Sequence, residues 1–336
     1  MRWIIVLGMH RSGTSAFAHA VGSLGASMGN PAGMMKHFEQ VPLRRVNEKL
    51  LRSVDGSWDT PPPVGWLDGT IDPKLVDLGR RVTKEQFPDG DVAVWKDPRT
   101  CLTVPFWLEV LPPDPVFLII YRHPTEVAAS LAGRNRMGPG HGYGLWERHN
   151  ADALKAIVGR PTLVLDYPSV VGDPIGQLHT VKSALTSFGI ELPNDPATAD
   201  HGLVPQQRHH VAADAEALDP IATESQRALF ATLNTLRGSH EALALPEPIA
   251  DPHPLSAEIF KMARKVRRQK QARRQSRSSD SDVAAGEDGD DEGAGAGDAG
   301  TAKMSDRDAR RANRKQRKER KGRQSEAETE GDDESV

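Results

Sequence analysis

Read from the amino end, the chain alternates short apolar runs with stretches whose apolar residues recur at helical spacing. Residues 3–7 form a compact apolar run closed by Gly8, the pattern of a strand buried on both faces. Residues 15–24 are small and apolar and suit a helix packed closely on a sheet. Residues 41–54 carry Val46, Leu50 and Val54 at helical spacing, and 72–87 read as a helix opened by Pro73 at its first position. Residues 92–95 predict a strand, 105–111 a helix, and 116–121 the strongest strand of all. A helix follows over 125–131 after Pro124. Residues 134–142 read as a glycine-rich loop, 143–158 as a helix, 162–165 as a strand and 175–188 as a helix. Residues 57–69, rich in Pro, Trp and Gly, predict a structured loop. Strands alternating with helices imply an α/β fold with a mainly parallel sheet covered on both faces.

The pattern changes near residue 256. Residues 261–277 hold nine basic residues and no acidic one, 280–298 are acidic and rich in Gly and Ala, 303–323 are basic again, and 326–334 are acidic. Such blocks bury too little apolar surface to offset chain entropy, so disorder is expected from about residue 276. Residues 256–275 predict a basic helix with Ile259, Met262 and Val266 on one face. The expected organisation is a domain over 1–255, this helix, and a charged low-complexity tail over 276–336.

Composition sharpens this picture in two places. The 336-residue chain has a net charge of −3, so as a whole it is not a polyanion-coating protein. Yet 20 of its 43 basic and 18 of its 46 acidic residues fall within 256–336. A tail of alternating blocks can bind acidic partners, nucleic acid included, or basic ones, although the adjoining blocks of opposite charge offer internal partners. Cys101 is the single cysteine, which rules out an intrachain disulfide and suits a reducing compartment. The apolar run at 3–7 is too short for a signal peptide, and no run reaches membrane-spanning length. The expected location is cytoplasmic.

The first strand leads directly into Gly8-Met9-His10-Arg11-Ser12-Gly13-Thr14-Ser15 and then a helix. Gly8 and Gly13 have the spacing of a phosphate-binding loop, whose backbone amides and following helix N-terminus make an anion site. A P-loop NTPase has Lys after the second Gly to reach the β- and γ-phosphates. Here that position is Thr14, and the cation is Arg11, inside the loop. A second candidate lies where residues 116–121 run into Arg122-His123-Pro124. Ligands bind at the carboxyl ends of parallel strands, and Arg122 with Ser130, on the next helix, can converge on one phosphate. The alternative is an Arg122–Glu126 pair with Ser130 packing inside the helix.

Together, Gly-x-His-Arg-Ser-Gly-Thr-Ser at 8–15 and Tyr-Arg-His-Pro-x5-Ser at 121–130 resemble the sulfotransferases that use 3′-phosphoadenosine-5′-phosphosulfate (PAPS), most closely a bacterial-type branch with Trp-Lys-Asp-Pro-Arg at 95–99. The resemblance spans roughly residues 1–211. It implies a P-loop NTPase-like three-layer sandwich and sulfuryl transfer from PAPS to an acceptor hydroxyl on a sugar, lipid or small metabolite, without a metal. It assigns the 5′-phosphosulfate to His10, Arg11, Ser12, Gly13, Thr14 and Ser15, and the 3′-phosphate to Arg122 and Ser130. Tyr167 then contacts the adenine, and Arg208 stands for the family's late basic loop, here without its Arg-Lys-Gly form.

Where cytosolic animal members carry a catalytic His, this chain has Asp97. Lys96 or Arg99 remains to stabilise charge on the leaving group, Asp97 alternatively capping the next turn and pairing with Arg99. Glu39 is the candidate base, with His10 and His37 as other proton acceptors. Trp58, Trp66, Trp107 and Trp146 either line an acceptor pocket or pack in the core. The competing readings are a P-loop nucleotide kinase and a non-catalytic nucleotide-binding protein with a nucleic-acid-binding tail.

Overall fold

A computed structural model describes residues 1–203, 211–212 and 218–284, with the side chains of 273–284 excepted. The chain divides into two units, Met1–Gln275 and Ser276–Val336, and the sheet and the helices packed on it belong to the first. The charge blocks beyond residue 284 lie outside the described residues, as does Arg208.

Four parallel strands make the centre: β1 (Arg2–Leu7), β2 (Val92–Lys96), β3 (Val116–Tyr121) and β4 (Thr162–Asp166). A fifth, β5 (Gly238–His240), runs antiparallel to β4, giving the order β2-β1-β3-β4-β5. The helices are α1 (Thr14–Ser23), α2 (Val41–Ser53), α3 (Pro73–Gln86), α4 (Val104–Val110), α5 (Pro124–Asn135), α6 (Pro139–Ala156), α7 (Tyr167–Gly172), α8 (Pro174–Ser187), α9 (Glu224–Thr235) and α10 (Pro254–Ala284).

The alternation along β1 sorts the two faces of the sheet. Trp3, Ile5 and Leu7 join a core with Leu50, Trp107, Trp146 and Leu233 from α2, α4, α6 and α9. Ile4 and Val6 join a second core with Phe17, Val170 and Leu185 from α1, α7 and α8. Helices on both faces of a mainly parallel sheet make the three-layer α/β sandwich expected from the pattern.

The predicted strands and most predicted helices fall within a residue or two of the observed ones. One expectation is corrected. The stretch 134–142 is not a loop: α5 continues to Asn135 and α6 begins at Pro139. Gly142 in this stretch and Gly144 just beyond it serve close helix packing instead. A Cβ on Gly142 would lie 2.8 Å from the Ala128 backbone of α5, and one on Gly144 would lie 3.1 Å from Ser256 and 3.2 Å from Phe260 of α10. Three elements were not predicted, α7, α9 and β5, although α9 opens on a Thr223/Gln226 capping box and α7 on Asp166 followed by Pro168. β5 is Gly-Ser-His, with none of the β-branched character of a strand, and it forms only because β4 offers its free edge.

Candidate active site

The site assembles at the carboxyl ends of β1, β2 and β3. Between β1 and α1 the chain turns through Gly8 (φ 152°), Arg11 (φ 74°) and Gly13 (φ 86°). Neither glycine position has room for a side chain. A Cβ on Gly8 would sit 2.3 Å from the Ile120 carbonyl oxygen, and one on Gly13 would sit 2.3 Å from the Tyr167 ring. Arg11 holds a left-handed conformation that disfavours any non-glycine residue. Gly13 caps α1 without any side-chain hydrogen bond to the helix amides, so the first turn presents N–H groups to the loop.

Not every amide of the loop faces outward. The Ser12 amide donates to Met9 O (3.1 Å), and the Gly8 amide to Cys101 Sγ (3.2 Å). The loop also contains buried polar atoms with no hydrogen-bond partner among the described residues, namely Ser12 Oγ and His10 Nε2. Orphaned polar atoms of this kind are uncommon and fit a loop shaped around a polar ligand.

The second motif arrives at the same place. Arg11 Nε donates to Ser130 Oγ at 2.8 Å, and Arg122 Nη1 donates to Arg11 O at 3.3 Å. The Arg122 guanidinium stands 4.9 Å from the centre of the Tyr167 ring. Arg122 Nε also donates to Glu126 Oε2 at 2.6 Å, so the helix ion pair and the convergence on the loop coexist. Burial pushes the Arg11 pKa below its usual value, and the neighbouring Arg134 and Arg122 add to the effect. A half-buried group of guanidiniums that repel one another is electrostatically suited to a polyanion.

β2 supplies the remaining charges. Its last residue, Lys96, is in register with Val6 of β1, which sets its ammonium beside the loop. Lys96 Nζ donates to Ser15 Oγ (3.0 Å), His37 O (2.7 Å) and Glu39 Oε1 (3.1 Å). Burial lowers its pKa, and Glu39 opposes that shift. Arg99 lies across from Lys96, its Nη1 3.6 Å from Glu39 Oε2. Its backbone N–H and its Nη1 both donate to Asp97 Oδ1, at 3.0 and 2.9 Å. Burial disfavours the Arg99 charge, but Asp97, Glu39 and Glu48 outweigh it and hold its pKa up. Asp97 therefore caps and positions Arg99. Glu39 sits between two cations, beside a cavity of about 390 Å³ lined by Arg11, Thr14, Ser15, Glu39, Arg99 and Arg134.

His10 and His37 line the same cavity. The His10 ring packs on Trp58, with centroids 4.4 Å apart, and faces His149 at 6.2 Å. Burial pushes His10 well below the usual imidazole value, with Arg99, His149, Lys96 and Arg11 adding to the shift. His37 touches the site through its backbone carbonyl. Trp107 and Trp146 are fully buried core residues, whereas Trp58 and Trp66 only pack against the core from its edge.

Burial likewise pushes His149 down to about 4. Its folded value lies below its unfolded one, so between the two the unfolded chain binds more protons. The stability it contributes is complete above about pH 6.5 and is lost as the pH falls toward 4. About 3 kcal/mol is expected to disappear over that interval. Urea unfolding at pH 7 and pH 4.5 measures it, and His149→Gln should make the dependence shallower, leaving the part that belongs to buried His10. An equal loss in both proteins would assign the acid sensitivity elsewhere.

One organising residue escaped the sequence pattern, although its sign was legible. Asn47 lies on the core-facing side of α2, between Leu43 and Leu50 or Leu51, and is fully buried. Its Nδ2 donates to Asp97 Oδ2 (2.9 Å) and Thr100 Oγ1 (3.2 Å). Its Oδ1 accepts from Thr103 Oγ1 and Trp107 Nε1, both at 2.7 Å. A polar residue in an apolar helical stripe is the signal that such a junction leaves in a sequence.

No family model matches the chain, and no curated protein matches it. Among solved structures, the chain is similar to the sulfotransferase domain from the Synechococcus PCC 7002 olefin synthase, at 15% identity and a TM-score of 0.41, covering 78% of this chain and 94% of that one. It is also similar to the sulfotransferase domain from the curacin biosynthetic pathway, at 14% identity and a TM-score of 0.37, covering 77% and 96% respectively. Likeness at this level leaves the activity to be argued from the site. Among the described residues no helix is long and apolar enough to cross a membrane, and no group of three His, Cys, Asp or Glu side chains is placed to hold a metal ion.

Proposed function

We propose that the protein is a sulfotransferase that moves a sulfuryl group from PAPS to an acceptor hydroxyl. The observation that carries this reading is the contact between the two phosphate motifs, Arg11 of the first loop against Ser130 and Arg122 of the second. A nucleotide with phosphates on both its 5′ and 3′ positions needs two neighbouring anion sites, and Arg11 links the two motifs. ATP needs one long site and a Lys where this chain has Thr14.

In this reading the helix-terminal amides after Gly13, with Ser12, Thr14 and Ser15, receive the 5′-phosphosulfate. Arg122 and Ser130 receive the 3′-phosphate, and Tyr167 lies against the adenine. The acceptor oxygen attacks sulfur. The bond from sulfur to the bridging oxygen of the 5′-phosphate breaks, and that oxygen keeps the electron pair, leaving 3′,5′-adenosine bisphosphate. The acceptor's proton passes to Glu39. Arg11, Lys96 and Arg99 oppose the charge that gathers on the leaving oxygen, work that demands positioned charge and no covalent intermediate.

The test is thermal denaturation of the full chain with 3′,5′-adenosine bisphosphate, AMP or Mg·ATP. At a hundred times its Kd the bisphosphate should stabilise by about 2.7 kcal/mol without metal, and Arg122→Ala should abolish the effect. Stabilisation by Mg·ATP alone would replace this reading with that of a P-loop phosphotransferase.

A further inference from the structure

On the far side of Arg99 lies a second, partly open cavity of about 470 Å³, lined by α2, the turn at 55–59 and α10. Trp58 and Arg99 line both cavities. Arg99 spans the boundary: Nη1 is 3.6 Å from Glu39 on the transfer side, and Nη2 is 3.7 Å from Glu48 on the other. A molecule seated in the second cavity thus meets the Arg99 guanidinium, and brings a hydroxyl to Glu39 by reaching past it, where the two cavities meet at Arg99 and Trp58.

The outer wall comes from the far end of the chain. Arg267 of α10 donates to Ser57 Oγ (2.5 Å), Thr60 Oγ1 (2.6 Å) and Asp55 O (2.6 Å), and pairs with Asp55 Oδ1 at 3.1 Å. Arg268 Nε donates to Asp55 Oδ2 at 2.9 Å, and Arg264 Nη2 to Pro61 O at 2.9 Å. Part of the basic block thus binds this chain's own loop.

The chemistry of the walls selects the occupant. Three carboxylates (Glu48, Asp55, Asp59) alternate with three guanidiniums (Arg52, Arg99, Arg267). They pair with one another: Arg52 lies 3.1 Å from Glu48, and Arg267 the same distance from Asp55. An anionic ligand meets the carboxylates and a cationic one meets the guanidiniums, while an aliphatic one strands polar groups. A neutral ligand dense in hydroxyls can accept from the guanidiniums and donate to the carboxylates, with Trp58 offering an aromatic edge. The volume lies within the ~300–1,000 Å³ of small-molecule pockets.

We propose that this cavity is the acceptor site, that it takes a neutral polyhydroxylated compound of saccharide size, and that α10 forms its outer wall through Arg267. The transfer step rests on the sulfotransferase reading; the binding itself does not.

Ligand-observed saturation-transfer NMR on the full chain tests it with glucose, galactose and mannose, against glucosamine and glucuronate, each with and without 3′,5′-adenosine bisphosphate. Binding of at least one neutral sugar is expected, stronger than either charged sugar. Trp58→Ala and Arg267→Ala should each weaken it roughly tenfold. Both variants are checked by their melting curves, and Trp58→Phe should recover part of the loss if stacking is the cause. No neutral sugar bound, a charged sugar preferred, or both alanine variants binding like the parent overturns the proposal. Sugar bound without any bisphosphate binding leaves the cavity standing and removes sulfuryl transfer. Bisphosphate bound without sugar does the reverse.

Discussion

Lys96→Met is expected to lower kcat for sulfuryl transfer by roughly 10²–10³, with KM for the acceptor changed only a few-fold. The ammonium is fully buried and makes three contacts, to Ser15 of the loop, to the His37 carbonyl and to Glu39. In the proposed transfer it joins the leaving-group side of the site to the base side. Loss of it removes a positive charge where negative charge grows, and releases Glu39 from one of its two cations. Glu39→Gln should have a comparable effect, roughly 10²–10⁴, by removing the proposed proton acceptor. The double variant should fall well short of the product of the single effects, because the two residues act as a unit. Breaking a buried pair costs about 3–5 kcal/mol at most, and the cost here should be lower because Glu39 retains Arg99 at 3.6 Å. Steady-state rates and melting curves of the same preparations separate the two effects. If Lys96→Met retains kcat within threefold, Lys96 merely anchors the 37–39 segment.

Asn47→Ala should destabilise the fold by about 3 kcal/mol, read as a lower urea midpoint at unchanged slope. Four hydrogen bonds meet at this amide. Thr103 Oγ1 has a fallback in Arg99 O at 3.4 Å, and Asp97 retains Arg99 on its other oxygen. The Trp107 indole N–H and Asp97 Oδ2 lose their Asn47 partner inside the core, and each such loss is worth about 1–3 kcal/mol. Asn47→Asp makes a sharper comparison. It keeps the acceptor for Trp107 but faces Asp97 with a like charge, so its penalty should shrink as the pH falls and the new carboxyl protonates. A midpoint within about 0.2 M of the parent for Asn47→Ala would show that water replaces the amide, and would demote Asn47 from junction to bystander.

The strands that carry the site were readable because they are buried on both faces and closed by punctuation: Gly8 after β1, Pro98 soon after β2, Pro124 after β3. The same punctuation misled at 134–142, where glycine density suggested a loop. Gly142 and Gly144 are small because α5 and α10 lie against α6, a relation between distant segments that local composition does not encode. Lys96 and Arg99 could be proposed from the end of a strand, and Glu39 from the resemblance to sulfotransferases. Their mutual contacts depend on β2 being placed beside β1, which nothing in either strand specifies alone. Asn47 was visible as a polar residue in an apolar stripe, yet its four partners lie 50 to 60 residues downstream. Arg267 was legible only as one charge in a basic run. Its role in closing the turn at 55–60 follows from the path of α10 across α6.

The sulfur beneath the loop between β1 and α1 has a practical consequence. Cys101 accepts the Gly8 amide, is almost wholly buried, and is pushed up to about 12 by that burial. Thiolate is the reactive form toward maleimides and iodoacetamides, so at neutral pH the native thiol stays silent while the fold is intact. A cysteine introduced on the surface of α3 or α8 can therefore carry a fluorophore or spin label without first removing the natural one. Slow labelling of Cys101 itself becomes a clock for opening of the loop, one that a bound nucleotide should slow.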